Sequence, residues 1–295
     1  MSRIHEALRK AEAEAGRLNG DPDGGAIAVS SIATLEEDPA QDVAAMGSPE
    51  VDFRIRQTEW SPDAERMIFW RGDEETVSTE QFRRLRSRLY HLREQQPFKT
   101  VLVSSALPGE GKSFLASNLA HALSRRQNTR VALIDGDMRC PRLHESLGAP
   151  CEPGLSDLLR GSASQNEIVQ AGPIPNLLFV PGGIRIDNSS ELIANGKLAG
   201  LLAALSQQCD WVIVDSPALI PVSDGLLLAG ICDAALMVVR SGVTPADAAE
   251  RACQELKRRR LLGVALNWVT GKQAGGYYYS SYYDKNRTNG KAKGK

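Results

Sequence analysis

Short apolar runs recur along the chain and alternate with stretches of helical period. Val101–Val103, Val131–Ile134, Leu177–Val180, Trp211–Val214, Ala234–Val239 and Leu262–Leu266 are apolar at consecutive positions, as strands buried on both faces are. Between them apolar residues return at helical spacing. Leu115, Leu119, Ala122 and Leu123 follow a helix start near Ser113, and similar patterns cover Ser189–Leu205 and Pro245–Arg260. Upstream, Ser78–Arg93 reads as a strong helix with Ser78 or Thr79 as its cap and Glu80 in its first turn. Phe82, Leu85 and Leu89 share one side of it; Glu80, Arg83 and Arg86 share another, and Glu–Arg pairing on a solvated face is a sufficient account of them. This alternation predicts an α/β fold, a mostly parallel sheet with helices on both faces and ligands at the carboxyl ends of the strands.

The two ends of the chain lack this pattern. Ser2–Gly16 carries a thin apolar stripe of Ile4, Ala7, Leu8 and Ala11; so short a helix is not stable alone, and it either docks on a partner or frays. From Leu18 to about Pro62 Gly, Pro, Asp, Ser and Ala dominate without clear period, which predicts a flexible linker. Near the other end stand Tyr277, Tyr278, Tyr279, Tyr282 and Tyr283, between Gly and Ser, leaving Tyr90 as the one tyrosine elsewhere. A packed core has no need of adjacent tyrosines flanked by Gly and Ser. A tail presenting hydroxyls to a neighbour does; an aromatic tail packing on a partner is the other reading. Lys285–Lys295 is basic, either a tether to anionic lipid or polymer or a solvated terminus. The expected division is therefore a helix at 1–17, a linker at 18–76, the α/β domain at 77–272 and a tail at 273–295.

Between the first strand and its helix lies Ala106-Leu-Pro-Gly-Glu-Gly-Lys-Ser113, a Walker A phosphate loop with Ala106 in the place of its first glycine. Gly109 and Gly111 let the backbone bend until its N–H groups face phosphate oxygens, and the helix start adds its positive end. Lys112 can reach the β- and γ-phosphates and the Ser113 hydroxyl can ligate Mg²⁺. Candidate nucleotide contacts are Pro108, Gly109, Glu110, Gly111, Lys112, Ser113 and the adjoining Phe114. The fold expected is thus of the P-loop NTPase type.

Two further strands end in acids: VALIDGDMR brings Asp135 and Asp137, and WVIVDSP brings Asp215. In a parallel sheet both ends open beside the phosphate loop. Mg²⁺ prefers hard oxygen ligands and keeps several waters, so Ser113 with Asp135, Asp137 and Asp215 forms the candidate metal set, Asp215 as the Walker B acid. A strand would point Asp135 and Asp137 oppositely unless the turn at Gly136 brings them together.

Composition narrows the class. With 35 Lys and Arg against 36 Asp and Glu, the charge gives no support for bulk nucleic-acid binding. Cys140, Cys151, Cys209, Cys232 and Cys253 are odd in number and form no C-x-x-C pair, which suits a reduced, cytoplasmic protein. No signal peptide is visible, and the apolar stretch Leu219–Val239 contains Asp224 and Asp233, so it reads as α/β core rather than a membrane span.

The loop at 106–113, LIDGDMR at 133–139 and IVDSP at 213–217 together resemble the bacterial tyrosine autokinases, or BY-kinases, of capsule and exopolysaccharide systems. The resemblance spans roughly Val77–Tyr283, and the opening MSRIHEALRKAEAE resembles the form that accompanies exosortase-linked clusters. It implies an ATP- and Mg²⁺-dependent protein-tyrosine autokinase, catalytic through Lys112, Asp135 and Asp137. Asp135 is the first choice to accept or orient the tyrosine proton and Asp137 the alternate. It implies Tyr277, Tyr278, Tyr279, Tyr282 and Tyr283 as acceptors in trans, Arg139 near the nucleotide and Asn267 near its base. Glu80, Arg83 and Arg86 match the family's E-x-x-R-x-x-R oligomerisation helix, with Arg88 where Asn is frequent. The implied partners are further copies in a ring, a membrane-bound polysaccharide copolymerase or chain-length activator that recruits the chain to the inner face of the plasma membrane, and a cognate tyrosine phosphatase. Partitioning and septum-positioning ATPases are the alternative class, but they carry a lysine early in the loop where Ala106-Leu107-Pro108 has none. A nucleotide-gated scaffold of the copolymerase is the third.

Overall fold

The structure, a computed structural model, describes residues 55–70 and 76–269 together with the backbone of 26–28. The expected Ser2–Gly16 helix and all five tail tyrosines lie outside the described residues. Five strands of the expected alternation are β3 (Thr100–Ser105), β4 (Val131–Asp135), β6 (Leu177–Val180), β7 (Trp211–Asp215) and β8 (Ala234–Arg240). The sixth is β9 (Leu261–Val269), and three short strands add to them: β1 (Ala26–Ala28), β2 (Arg56–Gln57) and β5 (Gln170–Ala171). They form one nine-stranded sheet in the order β1-β9-β8-β3-β7-β4-β6-β5-β2. From β9 to β6 every pairing is parallel, while β1 on β9 and β5 on β6 are antiparallel.

Alternation along the strands is hidden in the sequence because both faces are buried, yet it divides the core in two. Val101, Val103, Leu133, Ile213 and Leu236 pack on one face with α1 (Val77–Gln95) and α2 (Lys112–Ser124). Leu102, Ile134, Val212, Val214 and Met237 pack on the other, beneath α7 (Lys197–Gln208), α8 (Asp224–Ile231) and α9 (Ala246–Lys257). Three one-turn helices, α3 (Leu143–Leu147), α4 (Leu155–Arg160) and α5 (Gln165–Ile168), fill the long β4–β6 connection.

Three expectations are corrected. First, the expected linker is ordered over part of its length. Residues 55–70 pack on the sheet, with Trp60, Met67 and Phe69 buried; Trp60 meets Phe179 edge-on, and Asn118 of α2 accepts from the Ile68 amide at 2.9 Å and donates to the Arg66 carbonyl at 2.7 Å. Those three apolar residues, seven and then two positions apart, follow no single period, so pattern alone did not reveal them. Second, the helix expected over Ser189–Leu205 is two, α6 (Ser189–Ile193) and α7, parted at Gly196 with φ +82°. Third, α1 is capped by Thr76, not Ser78 or Thr79: the Thr76 hydroxyl accepts from the Thr79 amide at 3.1 Å, and the Thr79 hydroxyl accepts from the Thr76 amide at 3.0 Å.

Candidate active site

β3 ends at Ser105 and the chain turns through the phosphate loop into α2, whose cap is Gly111. Gly111 is fixed twice over. Its φ is +89°, and a Cβ there would come within 1.9 Å of Asn267 Nδ2. The loop is braced from within and from the β8–β9 side of the sheet. Asn267 on β9 donates to the Glu110 carbonyl at 3.0 Å, the Leu107 amide donates to the buried Glu110 carboxylate at 2.9 Å, and the Thr244 hydroxyl donates to the same carboxylate. Thr244 escaped the sequence reading. Its signal was a threonine just before Pro245, where a helix starts, but its partner lies 134 residues away.

Asp135 and Asp215 are paired across β4 and β7 at the strand ends. Burial, and then the neighbouring Asp215 carboxylate, push the Asp135 carboxyl well above the usual range. Its oxygens are already taken: Oδ1 accepts from the Asp137 amide at 3.2 Å, and Oδ2 from the amides of Arg142 at 3.0 Å and Leu143 at 2.9 Å. Gly136 turns the chain out of β4 against the Asp215 carbonyl, to which its amide donates at 3.0 Å; a Cβ there would lie 2.5 Å from that oxygen. Asp137 thereby reaches Lys112, with Nζ to Oδ2 at 3.7 Å. Burial raises the Asp137 carboxyl and the Lys112 charge opposes the rise. The Asp215 carboxyl is pushed up to about 6 by burial, against the Lys112 charge and a hydrogen bond from Ser113. Lys112, Ser113, Asp137 and Asp215 therefore converge, while Asp135 stands behind them.

Asp215 Oδ1 is buried with no hydrogen-bond partner among the described residues. An orphaned carboxylate oxygen beside a serine hydroxyl is a donor set that fits a hard divalent cation. No three His, Cys, Asp or Glu side chains form a metal cage among the described residues. Mg²⁺ beside phosphates does not require one.

Arg139 is held aside. Its Nε donates to Asp224 at 2.9 Å, and the same carboxylate accepts from Ser189 and from Ser190, the latter at 2.5 Å. Against the upward push of burial, these hydrogen bonds hold the Asp224 carboxyl below the usual range. Pro108, Gly109 and Phe114 sit in or beside the loop, Phe114 edge-on to Phe82 of α1 at 6.2 Å. On α1, Glu80 pairs within the helix with Arg83 at 3.8 Å and Arg84 at 3.3 Å. Arg86 turns inward and donates to the Ala122 carbonyl at 2.8 Å.

No family profile matches the chain. Over 221 residues it is 29% identical to "Tyrosine-protein kinase YwqD" of Bacillus subtilis, covering 74% of this chain and 92% of that protein. It is 32% identical over 211 residues to "Putative tyrosine-protein kinase AmsA" of Erwinia amylovora, covering 70% of this chain. Among solved structures, the chimerical protein CapA2B2 superposes with a TM-score of 0.64 at 27% identity, over 72% of this chain and 92% of that one. In sequence and in fold the chain is similar to the bacterial tyrosine kinases. Its α/β domain is a protein-tyrosine kinase domain, and it matches only 29% of the length of AmsA against nearly all of YwqD. The septum site-determining protein MinD of Pyrococcus horikoshii, at 21% identity and a TM-score of 0.50, shares the fold alone. Among the described residues no helix is long and apolar enough to cross a membrane.

Proposed function

We propose that the chain is an ATP-dependent tyrosine autokinase that phosphorylates Tyr277, Tyr278, Tyr279, Tyr282 and Tyr283 of a neighbouring copy and so regulates exopolysaccharide polymerisation or export. One observation supports the reading above the others: Lys112, Ser113, Asp137 and Asp215 converge at the phosphate loop, with one Asp215 oxygen left unpaired. The loop amides and Lys112 hold the triphosphate and offset charge on the transferring group. Ser113 and Asp215 would hold Mg²⁺, which supplies charge neutralisation between the β- and γ-phosphates. A tyrosine hydroxyl attacks the γ-phosphorus in line; the new O–P bond forms as the bond to the β,γ-bridging oxygen breaks, and ADP leaves. Asp137 takes the first place for the hydroxyl proton, because it is 7% exposed where Asp135 is fully buried and its oxygens are taken by backbone amides. Positioning and charge neutralisation supply most of the rate.

The same reading carries the partners: a ring of copies joined through Glu80 and Arg83, a membrane-bound copolymerase that recruits the chain to the inner face of the membrane, and a phosphatase that resets it. Nucleic acid has no part in it. The test mixes Lys112→Met protein with an active copy lacking residues 273–295 in Mg-ATP. Tyrosine phosphate on the Lys112→Met tail supports transfer in trans; a tail left unlabelled while active full-length protein labels itself overturns it.

A further inference from the structure

Trp268 ends β9 in a conformation that a bulky side chain rarely adopts, with φ +60°. Its residue is 49% exposed, although its neighbours Asn267 and Val269 are buried. Such an outlier persists only when its surroundings hold it, and the hold here is identifiable. The Asn267 side-chain oxygen accepts from the Trp268 amide at 2.9 Å, while the same side chain's Nδ2 donates to the Glu110 carbonyl of the phosphate loop. One amide group thus pins the indole to the loop. The indole Nε1 lies 3.8 Å from where a Gly111 Cβ would stand, so the ring borders the cradle itself. Arg240 lies over the indole, its guanidinium carbon 4.7 Å from the ring centroid. Arg240 Nε is buried without a hydrogen-bond partner among the described residues. An exposed aromatic surface and an unused donor therefore stand together beside a phosphate cradle.

We infer that Trp268, backed by Arg240, is the platform on which the base of a purine nucleotide stacks when its phosphates occupy the loop. The inference rests on the nucleotide reading of that loop and adds to it the residue that favours a base-bearing ligand over bare polyphosphate. Every nucleobase presents a π-face, and a purine offers the larger one to an indole. Stacking covers the exposed ring and gives the strained backbone at Trp268 a reason to persist.

The test is calorimetric titration of the full chain with Mg-ADP and, separately, with inorganic tripolyphosphate, in the wild type, Trp268→Ala and Trp268→Phe. Trp268→Ala should weaken ADP about tenfold, Trp268→Phe less than about threefold, and tripolyphosphate should bind all three alike. If ADP binds wild type and Trp268→Ala equally, the platform is wrong and the nucleotide reading stands. If Trp268→Ala weakens tripolyphosphate as much as ADP, the ring supports the loop rather than a base, and the inference also fails. If neither ligand binds the wild type, both readings fall together.

Discussion

Lys112 faces the buried Asp137 and Asp215 rather than the apolar core, so its loss should remove chemistry and spare the fold. Lys112→Met is expected to cut tyrosine phosphorylation by at least about 100-fold with an unchanged circular dichroism spectrum. A second residue carries a pH signature. His121 of α2 is buried against Phe69, and burial, then the Arg125 charge, lower its pKa from 6.5 to about 4. The folded state therefore excludes a proton that the unfolded state takes up. The stability at stake is fully present above pH 6.5 and is lost as pH falls toward 4, amounting to about 3 kcal/mol. Urea unfolding of His121→Gln should show a flatter pH dependence than wild type across that window; parallel curves would contradict this. At this scale the sequence showed the loop, Asp135, Asp137 and Asp215, because their spacing is local. It did not show Thr244 on Glu110, Asp224 on Arg139 or Trp268 at the loop, which are contacts made only when distant strands meet. It also gave Asp135 and Asp137 no order of exposure, since that depends on how the turn at Gly136 leans against Asp215.

At the scale of elements, the segment 55–70 belongs to the domain. Its β2 pairs with β5, and Trp60, Met67 and Phe69 complete the core beside Phe82, Phe179 and α2. Trp60→Ala should cost roughly 3–5 kcal/mol, read as a lowered denaturation midpoint with the slope unchanged. Deleting residues 1–54, which removes the three-residue edge strand β1, should cost far less thermal stability than deleting 1–75, which also removes Trp60, Met67 and Phe69. Equal midpoints for the two truncations would return the segment to the linker. The six long strands were legible because strands buried on both faces read as unbroken apolar runs. The two-residue strands β2 and β5 were not, since so short a pairing leaves no period. Nor was the break at Gly196, where apolar spacing resumes after a single left-handed residue.

For the whole molecule, the ring and the tail remain proposals, and the structure changes how they are best tested. Arg86 bonds to the Ala122 carbonyl at the end of α2, so replacing it disturbs the chain itself. Glu80 and Arg83, with side chains 33% and 32% exposed, are the cleaner probes. Glu80→Lys with Arg83→Glu should reduce the assembly mass in light scattering if these side chains meet a neighbour, and leave the melting temperature within a few degrees. Several tail phosphates, each adding about −1.5 to −2 charges, would repel one another and leave a site built for neutral tyrosine. Phosphorylated protein should then scatter as a smaller assembly. The most direct test of the central claim is mass spectrometry of the full chain after incubation with Mg-ATP, wild type beside Lys112→Met. Phosphate on Tyr277, Tyr278, Tyr279, Tyr282 or Tyr283 in the wild type alone is the predicted result. Equal labelling of both proteins, or label confined to Tyr90, would contradict the account.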